Sequence, residues 1–253
     1  MLNTLLHPSD GSATPLLIVH GLYGSARNWG VIAKRLSDRG PVVAVDMRNH
    51  GDSFWADTHS YEDMAGDLAE VIAAQGTPMD VVGHSMGGKA AMVLALTRPD
   101  LVSRLIVADI APVAYTHSQI QFIEAMRAVD LSRIEKRSDA TAQLAAHVDD
   151  PTLQSFFTQS LDLKAKRWKL NLEVLADEMP KVLGFPGVSG VFENPTLFLS
   201  GAESDYVTAE YRPKIRALFP KARFAKLPGA GHWLHAEKPR EFEASVRAFL
   251  DMV

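Results

Sequence analysis

The stretch VVGHSMGGKAAM (Val81–Met92) matches two motifs that imply different chemistry. Its glycine spacing and Lys89 match a phosphate-binding P-loop, in which the next residue is normally a Ser or Thr that ligates Mg²⁺; here that residue is Ala90. Residues 83–87, GHSMG, also match G-x-S-x-G, the nucleophile elbow, in which Ser85 would occupy a sharp turn between a strand and a helix. Both motifs need the same local structure, so the rest of the chain decides between them.

The composition is that of an ordinary globular protein. The chain has 253 residues, of which 47% are hydrophobic and 22% charged, which is enough for one α/β domain or two small ones. The net charge is −4 and the basic residues are scattered, so we expect no nucleic-acid partner. Because there is no cysteine, the chain has no disulfide, thiolate nucleophile or cysteine-ligated metal.

The first residues, MLNTLLHPSDG, lack the basic and apolar regions of a signal peptide. No apolar run approaches the roughly 20 residues that a membrane-spanning helix needs. We therefore expect a cytoplasmic protein without a membrane span.

Short apolar runs alternate with amphipathic stretches in both terminal parts of the chain. This alternation predicts β-α-β units and a mostly parallel sheet flanked by helices. The predicted strands lie at 16–19, 42–45, 80–82, 104–109, 196–200 and 222–227, and the predicted helices near 28–38, 61–75, 86–97, 209–219 and 239–251. Residues 112–190 show helical patterns without intervening strands. The sequence thus predicts a core of residues 1–111 and 191–253, with a helical cap inserted at 112–190.

The position of the elbow in this order favours a nucleophile over a phosphate site. A P-loop normally follows the first strand and supplies a hydroxyl for Mg²⁺, whereas this loop follows about the third predicted strand and ends in Ala90. A serine nucleophile needs a histidine base, an acid and an oxyanion hole, and each has candidates in this chain.

The base candidates lie in LPGAGHWLHAEKP (Leu227–Pro239), a loop after the last predicted strand. We expect His232, directly after the glycine turn, to take the proton of Ser85 and return it to the leaving group. We expect His235 to be a hydrogen-bonded structural residue near Glu237. The H-x-x-H spacing lacks the H-E-x-x-H context of a zinc site, so no metal is expected.

The oxyanion hole requires backbone N–H groups directed at the developing negative charge. The residue after the nucleophile, Met86, would supply one. The loop HGLYGS follows the first predicted strand and would supply the other from Leu22. The side chain of His20 in this loop is expected to bond within the loop.

The acid has two candidates. The usual position, in a G-x-x-D pattern after the second-last strand, holds Ser204, and Asp205 follows one residue later. Asp109 ends the strand 104–109 and would lie at the same edge of the sheet as Ser85. The residues alone favour Asp109 and leave Asp205 as the alternative.

Five segments carry a resemblance to a known family: HGLYGS, DMRNHGDS, GHSMGGKAAM, ADIAPVAY and GAGHWLHAEKP, in this order. Together they resemble the α/β-hydrolase superfamily, and more narrowly the YbfF-type bacterial esterases and their abhydrolase-domain relatives. The resemblance covers nearly the whole chain. It implies the α/β-hydrolase fold, identifies the DIAP aspartate, Asp109, as the acid, and implies hydrolysis of acyl esters, with acyl-CoA thioesters as substrates of some members.

The sequence therefore predicts a serine hydrolase that forms an acyl-enzyme without cofactor or metal. Its expected partner is a small acyl ester or thioester, and the oligomeric state stays open. The alternatives are C–C bond hydrolysis or perhydrolysis with the same triad, and a non-catalytic binding protein on the same fold.

The remaining motif residues are expected to be structural. In DMRNHGDS, Arg48 would pair with Asp46 or Asp52 and brace the loops beneath the site. Lys89 would pack or form a surface ion pair on the helix after the elbow. Large apolar residues of the cap would line an acyl pocket or, more simply, form the core of the cap: Phe122, Met126, Phe156, Phe157 and Trp168.

Overall fold

A computed structural model describes residues 1–252, and a seven-stranded sheet lies at its centre. The strands within residues 1–252 are β1 (Thr4–His7), β2 (Leu16–Val19), β3 (Val42–Val45), β4 (Met79–His84), β5 (Val102–Ala108), β6 (Leu161–Asp162), β7 (Arg167–Trp168), β8 (Thr196–Gly201) and β9 (Ala222–Leu227). The central sheet has the order β1-β3-β2-β4-β5-β8-β9, and only β1 runs antiparallel to its neighbour. This is the mostly parallel α/β-hydrolase architecture that the sequence predicted.

Helices cover both faces of the sheet. The α-helices of residues 1–252 are α1 (Gly30–Leu36), α2 (Tyr61–Gln75), α3 (Met86–Thr97), α4 (Ile120–Arg127), α5 (Arg137–Leu144), α6 (Pro151–Gln159), α7 (Leu172–Asp177), α8 (Met179–Leu183), α9 (Arg212–Leu218), α10 (Leu234–Glu237) and α11 (Pro239–Met252), of which α4 to α8 belong to the segment between β5 and β8. Alternate residues of β2 belong to different cores: Leu17 and Val19 to one, Leu16 and Ile18 to the other. Because strands buried on both faces need apolar residues at every position, the inner strands read as continuous apolar runs.

The carboxyl ends of the parallel strands position the candidate site. Ser85 follows β4, Asp109 follows β5 and His232 lies in the loop after β9. In an open parallel sheet, these ends meet at one edge, where ligands bind. The helix α3 begins directly after Ser85 and is buried from Met86 to Leu96.

Between β5 and β8 the chain forms α4 to α8 and a two-stranded antiparallel sheet, β6 with β7. The prediction of helices without strands in this part was wrong for β6 and β7. Strands of two residues are too short to show a period-2 pattern, so the sequence could not indicate them. Trp168 of β7 donates its Nε1–H to the Met126 carbonyl at 3.0 Å, and both side chains are buried inside this segment.

The sequence also missed β1, which pairs antiparallel with β3 at the edge of the sheet. Its residues are half-buried or exposed, so they lack the apolar run that marked the inner strands. The elbow consequently follows the fourth strand of the chain and not the third.

Among residues 1–252, no helix has the length and apolar character that crossing a membrane would require.

Candidate active site

Ser85 occupies a sharp turn between β4 and α3. Its backbone has φ 51° and ψ −119°, an unusual conformation for a residue with a side chain. The two flanking glycines permit the turn, because a Cβ on Gly83 would collide with the Gly87 carbonyl and a Cβ on Gly87 with the His20 carbonyl. The glycine spacing of the motif thus reflects close backbone contacts on both sides of the serine.

A chain of hydrogen bonds joins Ser85, His232 and Asp109. The Oγ of Ser85 lies 3.1 Å from Nε2 of His232, and Nδ1 of His232 lies 2.8 Å from Oδ2 of Asp109. The carboxylate of Asp109 is fully buried. This geometry allows the imidazole to accept a proton from the hydroxyl while the carboxylate holds its other nitrogen.

Two further donors hold the Asp109 carboxylate in place. The N–H of Gly201 donates to Oδ1 at 3.0 Å, and the Ser204 hydroxyl donates to Oδ2 at 2.5 Å. Ser204 stands where the sequence pattern would have placed the acid, and it donates to the other candidate, Asp109, instead. The alternative candidate, Asp205, is exposed, and its carboxylate makes no hydrogen bond or ion pair with any residue of 1–252.

The two predicted oxyanion donors lie beside the elbow. Met86 is the first residue of α3, where backbone N–H groups lack intrahelical partners and the helix dipole favours negative charge. Leu22 follows Gly21, whose added Cβ would lie 2.8 Å from Nδ1 of His84 and 3.3 Å from Cβ of Ser85. Within residues 1–252, neither the Leu22 N–H nor the Met86 N–H is used in a hydrogen bond.

Buried histidines hold the loop that carries Leu22. His20 contacts the Gly21 carbonyl through Nδ1 at 2.7 Å, as expected, and its Nε2 accepts the Met47 N–H at 2.9 Å. His50 accepts the Tyr23 N–H at 3.1 Å through Nε2. The two imidazoles therefore form hydrogen bonds with the backbone of the residues on either side of Leu22.

Sequence reasoning missed two residues that contact His232. Nε2 of His84 lies 2.8 Å from the His232 carbonyl, and the ring of Tyr206 stacks on the His232 imidazole with centroids 4.1 Å apart. His84 occupies a variable position of G-x-S-x-G, and Tyr206 belongs to no motif. Both contacts depend on packing between distant segments, so the sequence held no signal for them.

Three predicted structural roles need correction. Arg48 pairs bidentately with Asp67 at 2.6 and 2.8 Å and not with Asp46 or Asp52. Asp67 lies on α2, so the pairing depends on how that helix packs. The carboxylate of Asp46 instead accepts backbone N–H groups, and Asp52 pairs with Lys169 at 2.6 Å.

Lys89 makes no surface ion pair. Its side chain is buried, and Nζ donates to the backbone carbonyls of Leu183 and Gly184 at the end of α8. Burial lowers the pKa of Lys89 to about 7. The predicted packing role is therefore correct, and the ion pair is not.

His235 also differs from the prediction. Its ring stacks on Trp29 with centroids 4.2 Å apart, and within residues 1–252 its Nδ1 has no hydrogen-bond partner. Glu237, the expected neighbour, accepts instead the N–H groups of Gly231 and Trp233.

A cavity of about 230 Å³ opens beside Ser85. Its walls combine residues from the loops of the central sheet with residues from the segment between β5 and β8. Phe122, Phe156 and Phe157 line it from the segment between β5 and β8, whereas Met126 and Trp168 belong to the core of that segment. No group of three or more His, Cys, Asp or Glu side chains among residues 1–252 is arranged to hold a metal ion.

Burial of neutral histidines makes folding sensitive to acid. Burial lowers the pKa of five imidazoles, those of His59 and His235 to about 3; the others are His20, His50 and His84. Below about pH 6.5 the unfolded chain binds protons that the folded chain does not. These groups should leave stability constant above pH 7 and lower it below pH 6.5. For His59 and His235, whose folded pKa is about 3, the loss should be about 1.4 kcal/mol per pH unit each between pH 6 and pH 4.

Urea unfolding at pH 7.5, 6.5 and 5.5 measures this slope. His235→Phe keeps a ring on Trp29 and should make the slope below pH 6.5 shallower by one histidine's share. The control His147→Phe, at an exposed position, should leave it unchanged. Equal slopes in the wild type and both variants would contradict the predicted contribution of His235 to the pH dependence.

Comparison with known proteins agrees with this architecture. The sequence matches the alpha/beta hydrolase family over residues 16–245. It is 42% identical to the sn-1-specific diacylglycerol lipase ABHD11 of Mus musculus, over 95% of this chain and 83% of the relative. It is 37% identical to the esterase YbfF of Escherichia coli strain K12, over 94% of this chain and 93% of the relative. A solved structure described as a marine microorganism esterase superposes with a TM-score of 0.92 and 39% identity, covering 98% of this chain and all of that one.

Proposed function

The chain belongs to the alpha/beta hydrolase family as an ester-cleaving enzyme, and we propose that it is a serine carboxylesterase that works through an acyl-enzyme. The observation that carries the mechanism is the hydrogen-bonded chain from Ser85 through His232 to Asp109, with distances of 3.1 and 2.8 Å. A nucleophile, a base and an acid in this order can divide ester hydrolysis into two easier steps.

In the first step, Oγ of Ser85 attacks the carbonyl carbon of the ester while Nε2 of His232 takes its proton. Asp109 keeps the imidazole in the tautomer that presents Nε2 and stabilises the imidazolium. The Leu22 and Met86 N–H groups hold the oxyanion, helped by the dipole of α3. His232 then protonates the leaving alcohol, and the acyl group stays on Ser85.

In the second step, a water molecule attacks the acyl-enzyme. His232 removes a proton from this water and returns it to Oγ of Ser85, which releases the carboxylic acid. Apart from the substrate and this water, both steps use only groups of this chain.

We assign residues 112–190 as a cap over the core of residues 1–111 and 191–253. The placement of Phe122, Phe156 and Phe157 in the cavity wall supports this division, because the cap then shapes the space that receives the substrate. Thioester cleavage, C–C hydrolysis, perhydrolysis and the cytoplasmic location stay predictions.

The test is turnover of p-nitrophenyl esters from acetyl to palmitoyl, beside acyl-CoA thioesters and a diacylglycerol. We expect ester hydrolysis. A phosphonylating reagent should abolish it at one equivalent per chain, and the phosphonyl label should lie on the peptide that contains Ser85. Blocking with the label on another residue would reject the mechanism. Absence of turnover on every substrate would reject the esterase and favour C–C hydrolysis or a binding role.

A further inference from the structure

Lys89 is a buried lysine whose amino group faces backbone carbonyls of the protein. It is 1% exposed, and Nζ lies 2.9 Å from the Leu183 carbonyl, 2.5 Å from that of Gly184 and 3.5 Å from that of Val182. Nζ also lies 4.9 Å from the centroid of the Tyr115 ring. Carbonyl oxygens and an aromatic face can replace the water that a buried ammonium loses.

These carbonyls form the end of α8, where helical carbonyls lack intrahelical partners and a cation is favourable. Other groups of the core bind the same stretch. The Tyr61 hydroxyl donates to the Val182 carbonyl at 2.6 Å, and the Tyr115 N–H donates to that of Leu183 at 3.0 Å. Lys89 itself lies one helical turn after the elbow, since its N–H donates to the Ser85 carbonyl at 3.0 Å. The end of α8 is thereby tied to the helix that carries the nucleophile.

The same residues form a buried part of the cavity wall. Tyr61, Lys89 and Val182 are buried, whereas the lining residues His117 and Trp233 are exposed or half-buried. The wall at Lys89 is therefore shielded from solvent, whereas the wall at His117 and Trp233 is accessible to it.

We propose that Lys89 determines acyl-length specificity as a positioning residue: by tying Val182–Gly184 to α3, it fixes a buried part of the cavity wall and disfavours long acyl groups. This inference rests on the proposed esterase function. Val182 and Leu183 line the cavity together with Lys89, so a shift of this segment would change the space open to the acyl chain. A long acyl chain would have to displace this part of the wall, whereas a short one would not.

The experiment compares wild type with Lys89→Met, which keeps most of the length of the side chain and removes the amino group with its hydrogen-bond donors. The wild type should prefer butyryl to hexanoyl esters over palmitoyl by about 10-fold or more in kcat/KM. In Lys89→Met the ratio of kcat/KM for dodecanoyl over butyryl esters should rise about 10-fold, mainly through a lower KM for the long ester. The control Lys181→Met removes an exposed lysine of α8 and should leave the ratio unchanged.

Hydrogen exchange provides a second readout that needs no substrate. The Gly184 N–H, which donates to the Pro180 carbonyl, should exchange faster in Lys89→Met than in wild type or Lys181→Met. If Lys89→Met does not fold, Tyr61→Phe removes one donor to the same carbonyls and should shift both readouts in the same direction.

A folded variant with an unchanged acyl-length ratio, or with unchanged exchange across residues 179–190, overturns the inference. Failure of the esterase assignment is recognised separately, because the wild type would then hydrolyse none of the esters while the exchange measurement still tests the role of Lys89.

Discussion

Replacing Ser85 with alanine is expected to lower kcat for ester hydrolysis by about 10⁵-fold or more, the scale on which serine hydrolases depend on their nucleophile. The reason is that the Ser85 Oγ is the atom to which the acyl group would be attached, and it is the hydroxyl within reach of Nε2 of His232 at 3.1 Å. The oxyanion N–H groups and the cavity stay in place, so KM should change little.

The variant should fold as the wild type does. Alanine keeps the Cβ of serine, so the backbone at φ 51° gains no new contact, and the free energy of unfolding should change by less than about 1 kcal/mol. Ser155→Ala, on an exposed face of α6, is the matched control and should retain full activity. Ester turnover retained by a folded Ser85→Ala would mean that another residue is the nucleophile.

The second interpretation of the elbow sequence fails for a structural reason. In a P-loop the lysine reaches the phosphates that the loop surrounds. Here Nζ of Lys89 is held by the Leu183 and Gly184 carbonyls, and Ala90 offers no hydroxyl to a metal ion. The two motifs overlap because each requires glycines at a turn between a strand and a helix. The direction of the Lys89 side chain, toward α8 and not toward the loop, distinguishes them.

The sequence predicted those strands in which every residue is buried. The inner strands, such as β3 and β4, are buried at every position, and they stand out as apolar runs. The edge strand β1 and the two-residue strands β6 and β7 lack such runs, because their pairing depends on neighbours that are distant in sequence.

The same distinction applies to the site. Ser85 and His232 lie in loops with glycine patterns that follow from local backbone geometry, so the sequence indicated them directly. The stacking of Tyr206 on His232 and the donation by Ser204 to Asp109 join different loops. Neither has a local pattern, and only the folded structure places these groups together.

Replacing Asp109 with asparagine is expected to lower kcat by about 10³- to 10⁴-fold, whereas Asp205→Asn should change it by less than about twofold. An asparagine at position 109 can present its NH₂ group to Nδ1 of His232, which favours the tautomer in which Nε2 carries the proton and cannot accept one from Ser85. It also loses the charge that would stabilise the imidazolium. Asp205, being exposed, makes no contact with the imidazole.

The measurement is kcat and KM for a p-nitrophenyl ester in both variants, with unfolding by urea as the control for folding. Asp109→Asn should affect kcat and leave KM nearly unchanged, because the carboxylate is fully buried and faces the imidazole instead of the cavity. The Gly201 N–H can still donate to the amide oxygen, so the fold should persist. A larger loss in Asp205→Asn than in Asp109→Asn would move the acid to the loop after β8, and with it the group that orients His232.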